Sequence, residues 1–342
     1  MRVTIWLFIF AFALFTAFQY APESLIEEDI TESDLVAEVL IALGGEPQKH
    51  QGTFTAEQIR QGEELVKEGR SIGPHGRRTQ YISKHYVCTS CHNLEIEDPD
   101  LTKSDPETRL PYVKAKGIPF LQGTTFKGIV NRESWYNDDY VKKYGDEKIE
   151  LAHENLRESI QLCAIECSQG REMKDWEIEA VLAYYWDLQF DMNDIAFSEQ
   201  DLAKLNREKN DLAKREELIT WIKSFYLQGS PAHFYDSPAD KKAGYSDYVG
   251  NAENGKDLYE LSCLHCHKPD GVSHYVLDNN KLSFKDMKRT IPKNSHFSLY
   301  QIIPYGTYAI PGHKPYMPHY PLERMNMQQV EDLRAYVELK AK

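Results

Sequence analysis

Two five-residue motifs, Cys88-Thr89-Ser90-Cys91-His92 and Cys263-Leu264-His265-Cys266-His267, concentrate the chemistry of this chain. Two thiols one helical turn apart can each add to a haem vinyl group, and the adjacent histidine then lies beneath the iron as proximal ligand. Cys-x-x-Cys alone also serves as half of a zinc site or as a thioredoxin-like redox pair. A zinc site needs two more ligands at matching spacing, and a redox pair has no use for the histidine that both copies carry. The spacing therefore predicts two covalently bound haem c groups, one on Cys88, Cys91 and His92 and one on Cys263, Cys266 and His267. Of the six cysteines, Cys163 and Cys167 remain.

Those two belong to a stripe. Leu156, Ile160, Cys163 and Cys167 follow i, i+4, i+7, i+11, which at about 100° per residue puts all four on one helix face directed at a core. A disulfide between them would be strained in a regular helix. Cys167 reads first as a small buried hydrophobe, with a redox or persulfide role as the alternative.

The elements that must position these groups divide the chain into five parts. Residues 1–21 carry Met1-Arg2 and an apolar run from Ile5 to Phe18 broken only by Thr16, which reads as an export signal or a membrane anchor. Candidate cleavage ends at Ala17 and Ala21 have Phe15 and Gln19 at minus three, so both readings stay open. Residues 22–54 form an acidic lead-in with Leu35, Val36, Val39, Leu40 and Leu43 at helical spacing. A first haem domain, 55–195, opens on a capping box at Thr55 and Gln58. Its first helix ends near Gly69, and a long Pro/Asp-rich irregular region follows the motif to about Trp135. A later helix opens near Asp175 and turns Ile178, Val181, Leu182, Tyr185 and Leu188 inward. Residues 196–250 read as an exposed, charged helical linker with Leu202, Leu205, Leu212, Ile219 and Ile222. The second haem domain, 251–342, leads a helix into Cys263 and ends on a helix capped by Asn326, burying Val330, Leu333 and Val337. The fold class expected is mainly α, two cytochrome c-like haem domains joined by the linker.

The net charge of −13, to which haem propionates would add, disfavours nucleic acid and favours a basic redox partner. Export suits haem attachment outside the cytoplasmic membrane, so the expected location is periplasmic, soluble or tethered by the N-terminus.

From Gly255 to the C-terminus the pattern resembles class I cytochrome c. That resemblance implies a distal methionine in the loop before the last helix, where Tyr316-Met317-Pro318 stands; Met325, Met327 and His313 are the fallback ligands. The first domain resembles the thiosulfate dehydrogenases and Sox-pathway cytochromes through three stretches. They are Arg60-Gln61-Gly62-Glu63-Glu64-Leu65-Val66, Gly73-Pro74, and Arg157-Glu158-Ser159-Ile160-Gln161-Leu162-Cys163 with Gly170-Arg171 beyond. In that family a cysteine seven residues before a glycine and a basic residue is the distal ligand, which implies Cys163 for the first haem. The chain departs from the family in having Ala164-Ile165-Glu166-Cys167-Ser168-Gln169 where the family has an Arg-Ser-Met-Asn stretch. Arg132 and Arg171 are the cations expected beside an anionic sulfur substrate, although arginines near haem also pair with propionates. Met173, His85 and His153 are rival distal ligands. Two functions follow: an electron-transfer protein, or an enzyme oxidising thiosulfate to tetrathionate at a Cys163-ligated haem.

Overall fold

The computed structural model describes residues 25–273, 275–293, 297–307 and 317–342. The expected signal or anchor at 1–21, Tyr316 and the fallback ligand His313 lie outside the described residues. Among the described residues the chain is helical, with only isolated β-bridges at Leu35–Asp191 and Ile72–Arg78, and no helix is long and apolar enough to cross a membrane.

Fourteen α-helices can be followed through the described residues. Helix α1 (Val36–Ala42) lies in the lead-in, and α2 (Ala56–Glu68) opens the first half as expected, capped by the reciprocal Thr55–Gln58 box and closed by Gly69 at φ +73°. Then come α3 (Pro106–Lys116), the short α4 (Val141–Tyr144) and α5 (Asp146–His153), α6 (Leu156–Leu162) and α7 (Asp175–Asp187). Helices α8 (Glu199–Glu208) and α9 (Arg215–Lys223) form the connecting segment. The second half holds α10 (Ala252–Leu258), α11 (Leu264–His267), α12 (Lys281–Thr290), α13 (Leu299–Tyr305) and α14 (Met327–Lys340).

Each half is built on one crossed helix pair, α2 with α7 and α10 with α14. At each crossing a glycine permits the approach: a Cβ on Gly62 would sit 1.9 Å from the Ala180 carbonyl oxygen, and one on Gly255 would sit 1.9 Å from that of Asp332.

The structure differs from the sequence-based expectation in two places. The region between Cys88 and Trp135 is not irregular throughout, because Asp105 caps α3 and Pro106 occupies its first turn. Leu110 and Val113 of α3, with Phe120, pack among Leu258, Tyr259, Phe284, Leu333 and Val337, so a first-half helix completes the second-half core. The connecting segment is likewise no exposed linker. Leu205, Leu218 and Ile222 are buried against Val36, Val39 and Leu40 of α1 and against Phe190 and Met192, forming a third core, while Leu212 alone of the expected apolar stripe stays largely exposed. Charge on one face hid an amphipathic pattern on the other.

The halves are tied by buried arginines. Arg109 donates to the carbonyls of Leu121 (3.2 Å) and Arg324 (2.7 Å) and stacks on Phe120. Arg324 in turn donates to the Leu121 and Gly123 carbonyls and pairs with buried Glu97 at 2.7 Å.

Candidate functional site

Cys88 begins a single 3-10 turn, Cys88–Ser90, and Cys91 and His92 both return their backbone N–H to the Cys88 carbonyl. These residues open onto a cavity of about 230 Å³ lined by Leu65, Ile82, Phe126, Ile160, Val181 and Tyr185 among others. At 10–15 Å³ per water centre this is far beyond a packing void. His92 Nδ1 lies 2.6 Å from the Thr124 carbonyl, which can only accept, so Nδ1 carries the proton and Nε2 keeps its lone pair for a metal. Phe126 stacks on the ring at 4.3 Å. Burial pushes His92 down to about 4, leaving the imidazole neutral. Gly123 makes the fit possible, since a Cβ there would meet His92 and the Cys91 carbonyl at about 2.6 Å. Burial raises Cys88 to about 11 and Cys91 well above the ordinary thiol value, so both thiols are neutral, as the thioethers they would become are neutral.

Both spare cysteines line the same cavity. Asn155 caps α6, and Leu156 and Ile160 point inward as the stripe predicts. Beyond Leu162 the helix changes. Cys163–Cys167 is a π-turn closed by the Ser168 N–H on the Cys163 carbonyl at 2.9 Å, a form found often at functional positions. Cys167, read from the sequence as a small buried hydrophobe, also makes a hydrogen bond through its sulfur. Its Sγ lies 3.3 Å from the Tyr144 hydroxyl, with Cys163, Tyr136 and Lys143 close by. The Cys163 contact lowers Cys167 to about 7 against its burial, and the same contact, with burial, holds the Cys163 thiol well above the ordinary value.

The expected cations separate. Arg132 lines the cavity, donates to Thr124 Oγ1 at 3.0 Å, and loses basicity through burial despite Glu97 and Asp98. Arg171 is absent from the lining. It grips the fully buried Glu177 with both arms of its fork, at 2.6 and 2.7 Å, and donates to the Gln80 carbonyl. Of the rival ligands, buried Met173 faces the cavity, whereas His85 does not and His153 turns Nδ1 to the Tyr136 carbonyl.

In the second half a π-turn, Tyr259–Cys263, leads into α11. His267 repeats the arrangement of His92: its Nδ1 donates to the Tyr275 carbonyl at 2.6 Å, freeing Nε2. Burial raises Cys263 to about 12 and Cys266 to about 11. Met317 is half-buried and pinned to Thr307, its N–H on Thr307 Oγ1 (2.8 Å) and its carbonyl accepting from Thr307 N (2.9 Å). Met325 is packed in the core at 1 % exposure, and Met327 opens α14 half-buried.

The cytochrome c family model matches residues 252–339. This segment is a cytochrome c domain. Haem c is its covalently bound cofactor, and haem-based electron transfer is its chemistry. No curated protein and no solved structure matches the chain. The residues of the cytochrome c domain suit the group: two neutral thiols beside an imidazole whose Nε2 is free. The first cavity presents the same donor set in apolar walls, and the two motifs touch, Cys266 Sγ lying 3.9 Å from the Ser90 carbonyl oxygen. The cytochrome c domain also sends Pro318, His319 and Arg324 to line that cavity.

Sequence reasoning missed the Thr124 and Tyr275 carbonyls, which leave no residue-type signal, and the hydrogen-bonding role of Cys167. It also missed His319, whose ring meets Lys143 and packs on Phe234 at 4.6 Å. Gly123, beside the motif's own partner loop, was the one available hint.

Proposed function

We propose that this chain is an exported diheme c-type cytochrome that passes electrons between two covalently held haems and a redox partner. In this reading Cys88 and Cys91 anchor the first haem with His92 as proximal and Cys163 as distal ligand. Cys263, Cys266, His267 and Met317 serve the second. The bound haems supply one-electron redox chemistry, while the chain sets their potentials through axial ligands and burial. The observation that carries the reading is the 3.9 Å contact between the motifs, each of which orients its histidine through a backbone carbonyl. A chain that brings two attachment loops into van der Waals contact would hold two haem edges close enough to exchange electrons directly. The acidic surface supports a basic partner, and the apolar N-terminal run supports a periplasmic location with or without a membrane tether.

Intact mass of the exported protein is the test: it should exceed the apo-chain by two haem groups that survive acid-acetone extraction. One haem would overturn the reading. Met317→Ala should abolish a sulfur-to-iron band in the near infrared at unchanged haem content.

An enzyme similar to thiosulfate dehydrogenase is the second reading, favoured by Arg132 standing in the same cavity as the thiol pair. Its other expected cation, Arg171, is held by Glu177. Steady-state assay with thiosulfate and ferricyanide decides it, and turnover should vanish in Cys163→Ala.

A further inference from the structure

Charged side chains meet the first cavity at several places, and most of them are already engaged. Lys127 pairs with Asp194 at 2.6 Å, Lys103 with Asp100 at 3.5 Å, and Glu323 with His233. One wall differs, where Glu97, Asp98, Arg132 and Arg324 stand together. Two of these four keep a buried polar atom with no partner, Arg324 its Nε and Asp98 its Oδ1. Arg132 makes a single bond, to Thr124 Oγ1 at 3.0 Å, and pairs with no carboxylate among the described residues. The two acids are not alike. Glu97 accepts from Arg324 (2.7 Å), from Asn93 Nδ2 (2.7 Å) and from the Thr125 N–H (2.8 Å), so its ionised form is satisfied. Asp98 is held more loosely, with Arg324 Nη1 standing 3.8 Å from Oδ2, and burial pushes its carboxyl up to about 7 despite Arg324.

This placement rests on the reading that Cys88, Cys91 and His92 hold the first haem. A haem carries two carboxylates on an otherwise apolar ring, and an apolar cavity with one unsatisfied ionic wall suits that division. Arg132 and Arg324 already balance Glu97 and Asp98, so a further carboxylate among them adds a buried negative charge that a bound proton offsets. Asp98 is the acid free to take it, since three donors fix Glu97. We propose that Arg132 and Arg324 seat a carboxylate of the first haem on this wall, and that Asp98 shares a proton with it, so that reducing the first haem draws a proton from solvent onto Asp98. The step balances: one electron from the redox partner takes the iron from ferric to ferrous, while one proton passes from water to an Asp98 carboxylate oxygen. Arg324, Arg132 and Glu97 are the charged groups that face Asp98, and its side chain, 12 % exposed, keeps an edge on solvent. Arg132 in this position serves the cofactor rather than a substrate anion.

The test is a potentiometric titration of the full-length holoprotein across pH, with the second haem as internal reference and haem content fixed beforehand by intact mass. In the unaltered chain the first haem's potential should fall as pH rises through neutrality, because the proton that accompanies reduction becomes scarcer. It should level off where Asp98 is protonated, or ionised, in both redox states. Asp98→Asn keeps a hydrogen-bond donor but cannot titrate, so it should remove that slope at unchanged haem content and leave the second haem's profile as it was. Arg132→Gln should lower the first haem's potential and carry the sloping region to higher pH, since losing a cation disfavours both the added electron and the ionised acid. Arg324 is left in place because it also ties the halves together. The reduced-minus-oxidised infrared spectrum should gain a protonated-carboxyl band that Asp98→Asn lacks. A flat profile in the unaltered chain, or a slope that survives in Asp98→Asn, overturns the proposal while both haems remain bound. Should Asp98→Asn not fold, an unchanged first-haem profile in Arg132→Gln overturns it instead. A protein whose mass lacks the first haem fails the underlying reading, a distinct result.

Discussion

The two halves use one scaffold and surround it differently. Each crosses two helices over a glycine, Gly62 in one and Gly255 in the other, and each turns a histidine Nδ1 to a backbone carbonyl at 2.6 Å. The carbonyl holding His92 comes from half-buried Thr124, inside a cavity whose lining also includes Cys163, Cys167 and six tyrosines. The carbonyl holding His267 comes from Tyr275, which with Val276 is more than 45 % exposed. In the proposed function the repeated motif fixes attachment and proximal ligation and leaves the redox environment to loops that do not repeat. In the proposed function the enclosed site, with a thiolate, lies at the lower potential, and the cytochrome c domain is the port that a partner reaches.

Substitutions that act on one half at a time break or sharpen this comparison. The largest effect is expected from removing attachment thiols. Cys88→Ser with Cys91→Ser should leave a protein one haem lighter by intact mass whose remaining spectrum is that of a methionine-ligated haem. Cys263→Ser with Cys266→Ser should leave the thiolate spectrum instead. Two indistinguishable single-haem spectra would erase the contrast.

Next comes the tie between halves. Arg324→Met strands Glu97, buried at 1 % exposure and otherwise held, among the described residues, by Asn93 and the Thr125 N–H, so stability should fall by about 3–5 kcal/mol in denaturant titration. A single cooperative transition should remain if α3 keeps the halves together. Two separated transitions would show them to be independent.

At the helix crossings Gly62→Ala and Gly255→Ala should each cost about 1–3 kcal/mol, because the new methyl meets a backbone carbonyl that cannot swing aside. Equal losses would show the two crossings to be mechanically equivalent. The smallest change is at the caps: Thr55→Ala and Asn251→Ala each remove a side-chain oxygen from a helix start, costing about 0.5–2 kcal/mol in thermal unfolding. Haem content should be unaltered in both.

Much of this was legible in the chain. The Thr55 box, the inward-facing Leu156 and Ile160 and the final helix capped by Asn326 all depend on residue types at short spacing, and local pattern carries them. What escaped depends on distant partners. Nothing near Leu110 and Val113 says that their core lies more than 140 residues downstream at Leu258. Carbonyls that hold imidazoles are backbone groups, which every residue but their geometry makes alike. The Tyr144 contact of Cys167 was not legible because periodicity gives a face, not the hydroxyl that waits on it. The connecting segment was misread as exposed because its many charges say nothing of the distant partners, Val36, Val39 and Leu40, that bury Leu205, Leu218 and Ile222.

Helix α3 has a consequence for how the molecule comes into being. Arg109 closes on the Arg324 carbonyl across 215 positions of chain, and Gln329 donates to the Pro106 carbonyl across 223. Contacts so remote in sequence form late, since the loop they close must first be paid for in entropy. While a chain emerges from its N-terminus, α3 therefore waits with its apolar face uncovered until the last helix arrives. Throughout that interval Ser90 and Cys266 are not yet in contact, and both Cys-x-x-Cys pairs remain open.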